Sequence, residues 1–202
     1  MENIITTLAQ ELGQKAQYVQ SVVTLLDEGN TIPFIARYRK ELHGGMDDTT
    51  LRNLETRLTY LRNLQERKEE IIRSIDGQDK LTSELEAAIL AAKTLAEAED
   101  LYRPYKQKRR TRATVAKEKG LEPLALAIFE QTGEEPSELA KDYIDPEKGV
   151  ETLDDALAGA SDIIAEMISD DPDIRKALRL KMETRAVVSV QATDPEAESV
   201  YT

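Results

Sequence analysis

Between Asp47-Asp48 and Gly77 the apolar residues recur at steps of three or four: Leu51, Leu54, Leu58, Leu61 and Leu64, then Ile71, Ile72 and Ile75. Only a helix gathers such positions onto one face. The stripe predicts one helix of about 28 residues, ~42 Å long at 1.5 Å per residue. Gly77 is placed to stop it.

The rest of the chain follows the same period. Ile4/Ile5, Leu8 and Leu12 fit a helix ending near Gly13, and Tyr18, Val19, Val22, Val23 and Leu26 fit a second ending at Gly29. Ser83 with Glu86, and Thr94 with Glu97, match the capping box. Pro123, Pro136 and Pro172 stand where helices begin, because a first-turn residue needs no N–H partner. Ala156, Ala160, Ile163, Ile164 and Met167 form a further stripe. About eleven helices result. The single β-like run, Val187–Val190, is too short to make a sheet alone. The expected fold is all-α: a helix-turn-helix-like region in two packed helical subdomains with one long helix. The break is expected in the turn near 77–81, giving subdomains 1–77 and 78–202, and the polar stretch 131–137 is a second candidate break.

Residue inventory excludes several kinds of chemistry. The 202 residues include no cysteine and one histidine, His43. A disulfide scaffold, a thiolate metal site and a cysteine nucleophile are therefore excluded, and a Ser-His-Asp triad has almost no material. No run approaches ~18 apolar residues, so no helical membrane span is expected. The N-terminus lacks a basic start before an apolar stretch, so it does not read as a secretory signal. A cytoplasmic location is the expectation.

The formal net charge of −12 is unevenly spread. Residues 1–129 hold 20 basic and 20 acidic residues, whereas residues 130–202 hold 7 and 19. Within the neutral part, residues 102–119 carry eight basic residues and one acidic one. Local charge, not the whole-chain sum, is what a phosphate backbone meets.

Three segments are candidates for function. In 16–42, two short helices flank Gly29-Asn30-Thr31; Thr31 can cap the second and Pro33 sets its first turn. That spacing permits a helix-turn-helix whose second helix offers Arg37, Arg39 and Lys40 to a major groove, with Phe34, Ile35 and Tyr38 turned to the core. The competing reading is an ordinary helical hairpin, its arginines paired with Glu41, Asp47 or Asp48. In 101–120, Pro104 interrupts a helix and the next starts near Thr111. The loop between carries Arg103, Lys106, Lys108, Arg109, Arg110 and Arg112, with Tyr102 and Tyr105 interleaved and Lys117 just beyond. Cations neutralise phosphates and aromatic faces stack unpaired bases. The competing reading ties the arginines to acidic helices and packs the tyrosines. The doublets Asp154-Asp155 and Asp170-Asp171 can hold Mg²⁺ or act as acid and base, but at helix starts they read as caps favoured by the macrodipole. His43, beside Gly44-Gly45, reads as a turn residue. No catalytic residue, cofactor or metal ligand is expected.

Three stretches go further than generic helix signals: LLDEGNTIPFIARYRKE (25–41), GGMDDTTLRNLETRLTYLRNLQERKEEIIRSI (44–75) and DLYRPYKQKRRTRATVAKEKGLEPLA (100–125). They closely resemble the N-terminal region of the Tex family of bacterial transcription accessory proteins. Lys148-Gly149-Val150 followed by an alanine-rich helix (to 168) fits the same pattern, and the similarity covers nearly all of 1–185. The resemblance implies a helix-turn-helix-like region in two helical subdomains at the start of a longer protein. It also implies later RNase-H-like, helix-hairpin-helix and OB-fold RNA-binding domains, of which this chain shows none, so the chain is expected to be an N-terminal fragment. The family is related to a eukaryotic transcription elongation factor that binds histones and polymerase. This chain departs from it at Arg103, where Leu is common before Pro-Tyr, and at Gln107, where Pro often follows Tyr-Lys. Both changes make the loop more polar and less rigid.

The expected function is a nucleic-acid-binding module for RNA or DNA within a transcription accessory protein. Its site residues are Arg103, Tyr105, Lys106, Lys108, Arg109, Arg110, Arg112 and Lys117, with Arg37 and Lys40 from the other segment. The alternative is a scaffold that positions the missing C-terminal domains or docks RNA polymerase or other transcription machinery.

Overall fold

The computed structural model describes residues 2–107 and 109–191. Among them are eleven α-helices and no strand, so the fold is all-α as the periodicity requires. The chain divides into two compact units, 1–102 and 103–202.

The first unit holds α1 (Glu2–Leu12), α2 (Ala16–Asp27), α3 (Ile32–Tyr38), α4 (Asp48–Asp76), α5 (Ser83–Ala91) and α6 (Leu95–Tyr102). The leucine stripe forms the single helix α4, 29 residues long. Asp47 caps it, its carboxylate accepting the Thr50 N–H at 2.7 Å. Leu51, Leu54 and Leu58 on its first half bury against Leu8, Val19, Val22, Val23 and Ile35. Leu64, Ile71 and Ile75 on its second half are buried too, where α5 and α6 fold back along it. That return explains why the first unit runs on through Tyr102, past the turn near 77–81. Each such side chain, once buried, is worth roughly 1.5–3 kcal/mol.

Several local details differ from the expectation. Thr82, not Ser83, caps α5, accepting the Leu85 N–H at 3.2 Å. Gly77 closes α4 with helical angles, and the left-handed residue of that turn is Asp79, at φ +55°. Thr31 takes the N-cap position of α3 without a side-chain cap bond. Tyr38 is 56% exposed, and Ile32 and Ile35 are the buried residues of α3. As expected of so short a run, Val187–Val190 form no strand, and Val187, Val188 and Val190 are exposed.

Arginines on α4 fasten it to its neighbours. Arg57 makes two bonds to Glu11 of α1, at 2.6 and 2.7 Å. Arg62 makes two to Asp27 of α2, at 2.7 and 2.8 Å. Arg67 reaches Glu99 of α6 at 2.6 Å. Spacing of five residues turns each arginine about 140° from the last, so successive ones face different partners.

The second unit holds α7 (Arg112–Glu118), α8 (Glu122–Phe129), α9 (Pro136–Ala140), α10 (Leu153–Asp170) and α11 (Pro172–Arg185). Prolines open α8, α9 and α11 within their first two positions. α10 is the hub, packing against α7, α8, α9 and α11. Its buried residues Ala156, Ala160 and Ile163 meet Ala113, Ala116, Leu121 and Leu124. The α7–α10 contact is built of small side chains: a Cβ on Gly159 would stand 3.4 Å from Ala116 Cβ and collide with Leu121. Among the described residues no helix is long and apolar enough to cross a membrane.

Candidate nucleic-acid interface

The basic segment lies between α6 and α7. After Tyr102 the chain makes a 3₁₀ turn at Arg103–Tyr105, which Pro104 favours by fixing φ. It then runs without regular structure, as far as it is described, to Thr111. Lys108 lies outside the described residues. Thr111 caps α7, its hydroxyl oxygen accepting the Thr114 N–H at 3.0 Å and donating to Glu166 Oε1 at 3.0 Å. The α7–α10 contact therefore sets where the loop ends.

Acids of the same unit answer four of the expected site cations. Arg103 Nε stands 3.0 Å from Asp170 Oδ1, Arg110 Nη2 2.7 Å from Glu118, Arg112 Nε 3.4 Å from Asp162 and Lys117 Nζ 2.9 Å from Glu122. The pairs are open to water in different degree. The Arg112 and Arg110 side chains are 88% and 69% exposed, those of Arg103 and Lys117 44% and 41%. Pairs as exposed as Arg110–Glu118 hold loosely, typically by under ~1 kcal/mol. Lys106 and Arg109 are exposed and have no ion-pair partner among the described residues. Arg110 and Arg112 also line a cleft of about 430 Å³ between α7 and α10, floored by Ala116, Leu121 and Gly159.

The tyrosines behave as packing residues. Tyr105 is half-buried. Tyr102 belongs to the first unit, where its hydroxyl is 2.9 Å from Ser74 Oγ and the Arg67 guanidinium sits 5.5 Å from its ring centre. Arg37 and Lys40 are also in the first unit, both exposed. Arg37 lies 6.0 Å from the Tyr38 ring, and Lys40 falls beyond the end of α3, which has only two turns. Asp48 pairs with Arg52, so it does not neutralise the α3 arginines.

The acid doublets act as the caps expected, with one exception. Thr152 and Asp155 form a capping box at the start of α10, and the Thr152 bonds hold the Asp155 carboxyl below its usual range. Asp171 caps α11 through the Asp173 and Ile174 N–H groups. Asp170 is the exception: it ends α10 and takes Arg103. Among the described residues no group of acids or His43 could hold a metal ion. His43 sits in a turn but is only 2% exposed, with neither ring nitrogen hydrogen-bonded.

Sequence reading missed a basic helix. Five of the seven basic residues in the acid-rich part 130–202 lie on α11: Arg175, Lys176, Arg179, Lys181 and Arg185. Summing charge over thirds of the chain hid them; summing by helix finds them.

Comparison with known proteins finds two family matches along the chain. Residues 2–76 match the family described as Tex-like protein N-terminal domain, and residues 131–201 the one described as Tex central region-like. "Protein tex" of Bordetella pertussis is 52% identical over 176 residues, 87% of this chain and 22% of the relative. "Transcriptional accessory protein Tex" of Neisseria gonorrhoeae is 42% identical over 192 residues, 95% and 25%. "S1 RNA-binding domain-containing protein 1" of Homo sapiens is 34% identical over 187 residues, 92% and 18%. The chain spans about a quarter of the length of the bacterial relatives it matches. With two Tex-like regions matched in order along one helical chain, this protein belongs to the Tex family of transcription accessory proteins.

Proposed function

We propose that the second unit gives a Tex-family protein a surface for the phosphate backbone of RNA or DNA, without catalysis, in the cytoplasm. One observation carries the reading: Lys106 and Arg109 are exposed and unpaired among the described residues, beside the largely exposed Arg110 and Arg112. These four described cations, with only the exposed Glu118 and the half-buried Asp162 to leave, are the electrostatic footprint of backbone binding. The names of two relatives, one a transcriptional accessory protein and one containing an RNA-binding domain, point to the same chemistry. Phosphate contacts position a strand without reading it, so sequence preference is weak.

Titration of the chain with single- and double-stranded RNA and DNA at several salt concentrations tests this. Four phosphate contacts give a log–log salt slope of about −3 for single strands and about −4 for duplex. The double variant Lys106→Glu/Arg109→Glu loses binding and keeps its melting temperature, since neither side chain has an ion-pair partner among the described residues. Unchanged affinity in that variant would overturn the reading.

The second reading is a scaffold that holds the other domains or docks RNA polymerase. It is favoured by the bond from Arg103 to Asp170, whose side chain is 14% exposed, because that bond fixes the loop to the helical unit.

A further inference from the structure

Two guanidinium groups from distant parts of the sequence meet at the C-terminal end of α10. Arg103 of the loop bonds Asp170, and Arg175 of α11 donates from Nη1 to the Ser169 carbonyl at 3.2 Å. The end of a helix carries partial negative charge, and α10 has no basic residue in its own last turn. The loop and α11 supply the missing cations from outside. As a result the basic loop and the basic helix adjoin at one end of α10.

α11 is otherwise poorly used by the fold. Among its residues none is buried. It carries five basic residues against Asp173 and Glu183, a surplus of three positive charges in 14 residues. Arg175, Lys176 and Arg179 fall within an arc of about 100° on its surface. Glu183 shares that arc one turn further on. Lys176 is exposed and makes no ion pair among the described residues.

We propose that α11 is the second half of the nucleic-acid surface: a strand bound at Lys106, Arg109, Arg110 and Arg112 continues past Arg103 and Arg175 onto Lys176 and Arg179. This rests on the loop reading above and extends its footprint. The helix is about 21 Å long, enough to run beside several successive phosphates of a strand. The loop alone accommodates only a few nucleotides, so the joined surface favours longer strands.

The test compares fluorescently labelled single-stranded RNAs of 6 and 18 nucleotides, of mixed sequence, on the 202-residue chain. The variants are Lys176→Glu/Arg179→Glu on α11 and Lys106→Glu/Arg109→Glu on the loop. The α11 variant is expected to weaken the 18-mer several-fold, to reduce its salt slope by about 1.4 for two lost contacts, and to change the 6-mer little. Should it melt at lower temperature, Lys176→Gln/Arg179→Gln replaces it with the same expectations. If the loop variant loses both RNAs while the α11 variant binds both like the parent, the extension onto α11 is overturned and the loop reading stands. If neither variant changes binding, both readings fall.

Discussion

Arg103 and Asp170, 67 positions apart in sequence, stand 3.0 Å apart from Nε to Oδ1. The arginine is 44% exposed at its side chain and the aspartate 14%. That asymmetry separates Arg103 from the other loop cations: its partner is largely withdrawn from water, so the bond is structural first.

Arg103→Ala is accordingly expected to destabilise the second unit, by about 1 kcal/mol after allowing for the exposure of the arginine. The melting transition of that unit should fall by roughly 4–8 °C. Affinity for nucleic acid per folded molecule should change less than in Lys106→Glu/Arg109→Glu. Calorimetry with a binding titration on the same sample checks both parts.

The carboxylates that face Arg112 and Arg110 compete with any phosphate for those cations. Asp162→Asn with Glu118→Gln removes two negative charges and frees both guanidiniums. Affinity for single-stranded RNA is expected to rise several-fold at low salt, and the gain should shrink as salt screens it. An affinity that falls instead would mean that the pairs hold the loop in its binding shape.

Gly44 has φ +61°, and a Cβ there would run into the ring of Tyr18. Gly45, at φ +80°, has open space around it. Both alanine variants incur the left-handed penalty, about 1–2 kcal/mol. Gly44→Ala adds a steric term of similar size. Its melting temperature should therefore fall clearly below that of Gly45→Ala, and chemical denaturation of the two variants measures the gap.

Acid should loosen the first unit through two ion pairs. Arg57 hydrogen-bonds Glu11 and Arg62 hydrogen-bonds Asp27, and each bond holds its carboxyl below the usual 4.5 and 3.8. The unfolded chain thus takes up protons at higher pH than the folded one. The contribution of the pairs is complete above those usual values and is lost as pH falls through the lower folded ones. Melting temperature followed below about pH 5 should decline less steeply in Glu11→Gln/Asp27→Asn than in the parent.

Much of the fold is legible along the chain because it follows from local periodicity. Leu51, Leu54, Leu58 and Leu64 dictate α4 wherever it packs, and Asp47, Thr111 and Thr152 cap the helices that follow them. Pro123, Pro136 and Pro172 mark starts, since proline's missing N–H and fixed φ suit only the first turn. Where two neighbouring residues compete for one role the sequence is ambiguous: Thr82 takes the cap from Ser83, and Asp79 takes the left-handed position from Gly77.

The candidate site is less legible, because its meaning depends on partners far away in sequence. The run Arg103–Arg112 displays its charge openly, but nothing near it announces that Asp170, Asp162 and Glu118 will answer three of its arginines. Tyr102 looks like its neighbour Tyr105 until α6 folds back and Ser74 takes its hydroxyl. α11 looks like part of an acidic tail until the helix gathers Arg175, Lys176 and Arg179 onto one side of its surface. Helices and most of their caps are set by residues within a turn or two of each other, so the sequence alone determined them. The counter-ion each cation meets, and the meeting of the loop with α11 at one end of α10, were decided only by tertiary structure. Ion pairs form between whichever charges packing brings within a few ångströms, and here packing is governed by the small residues Ala113, Ala116 and Gly159 between α7 and α10.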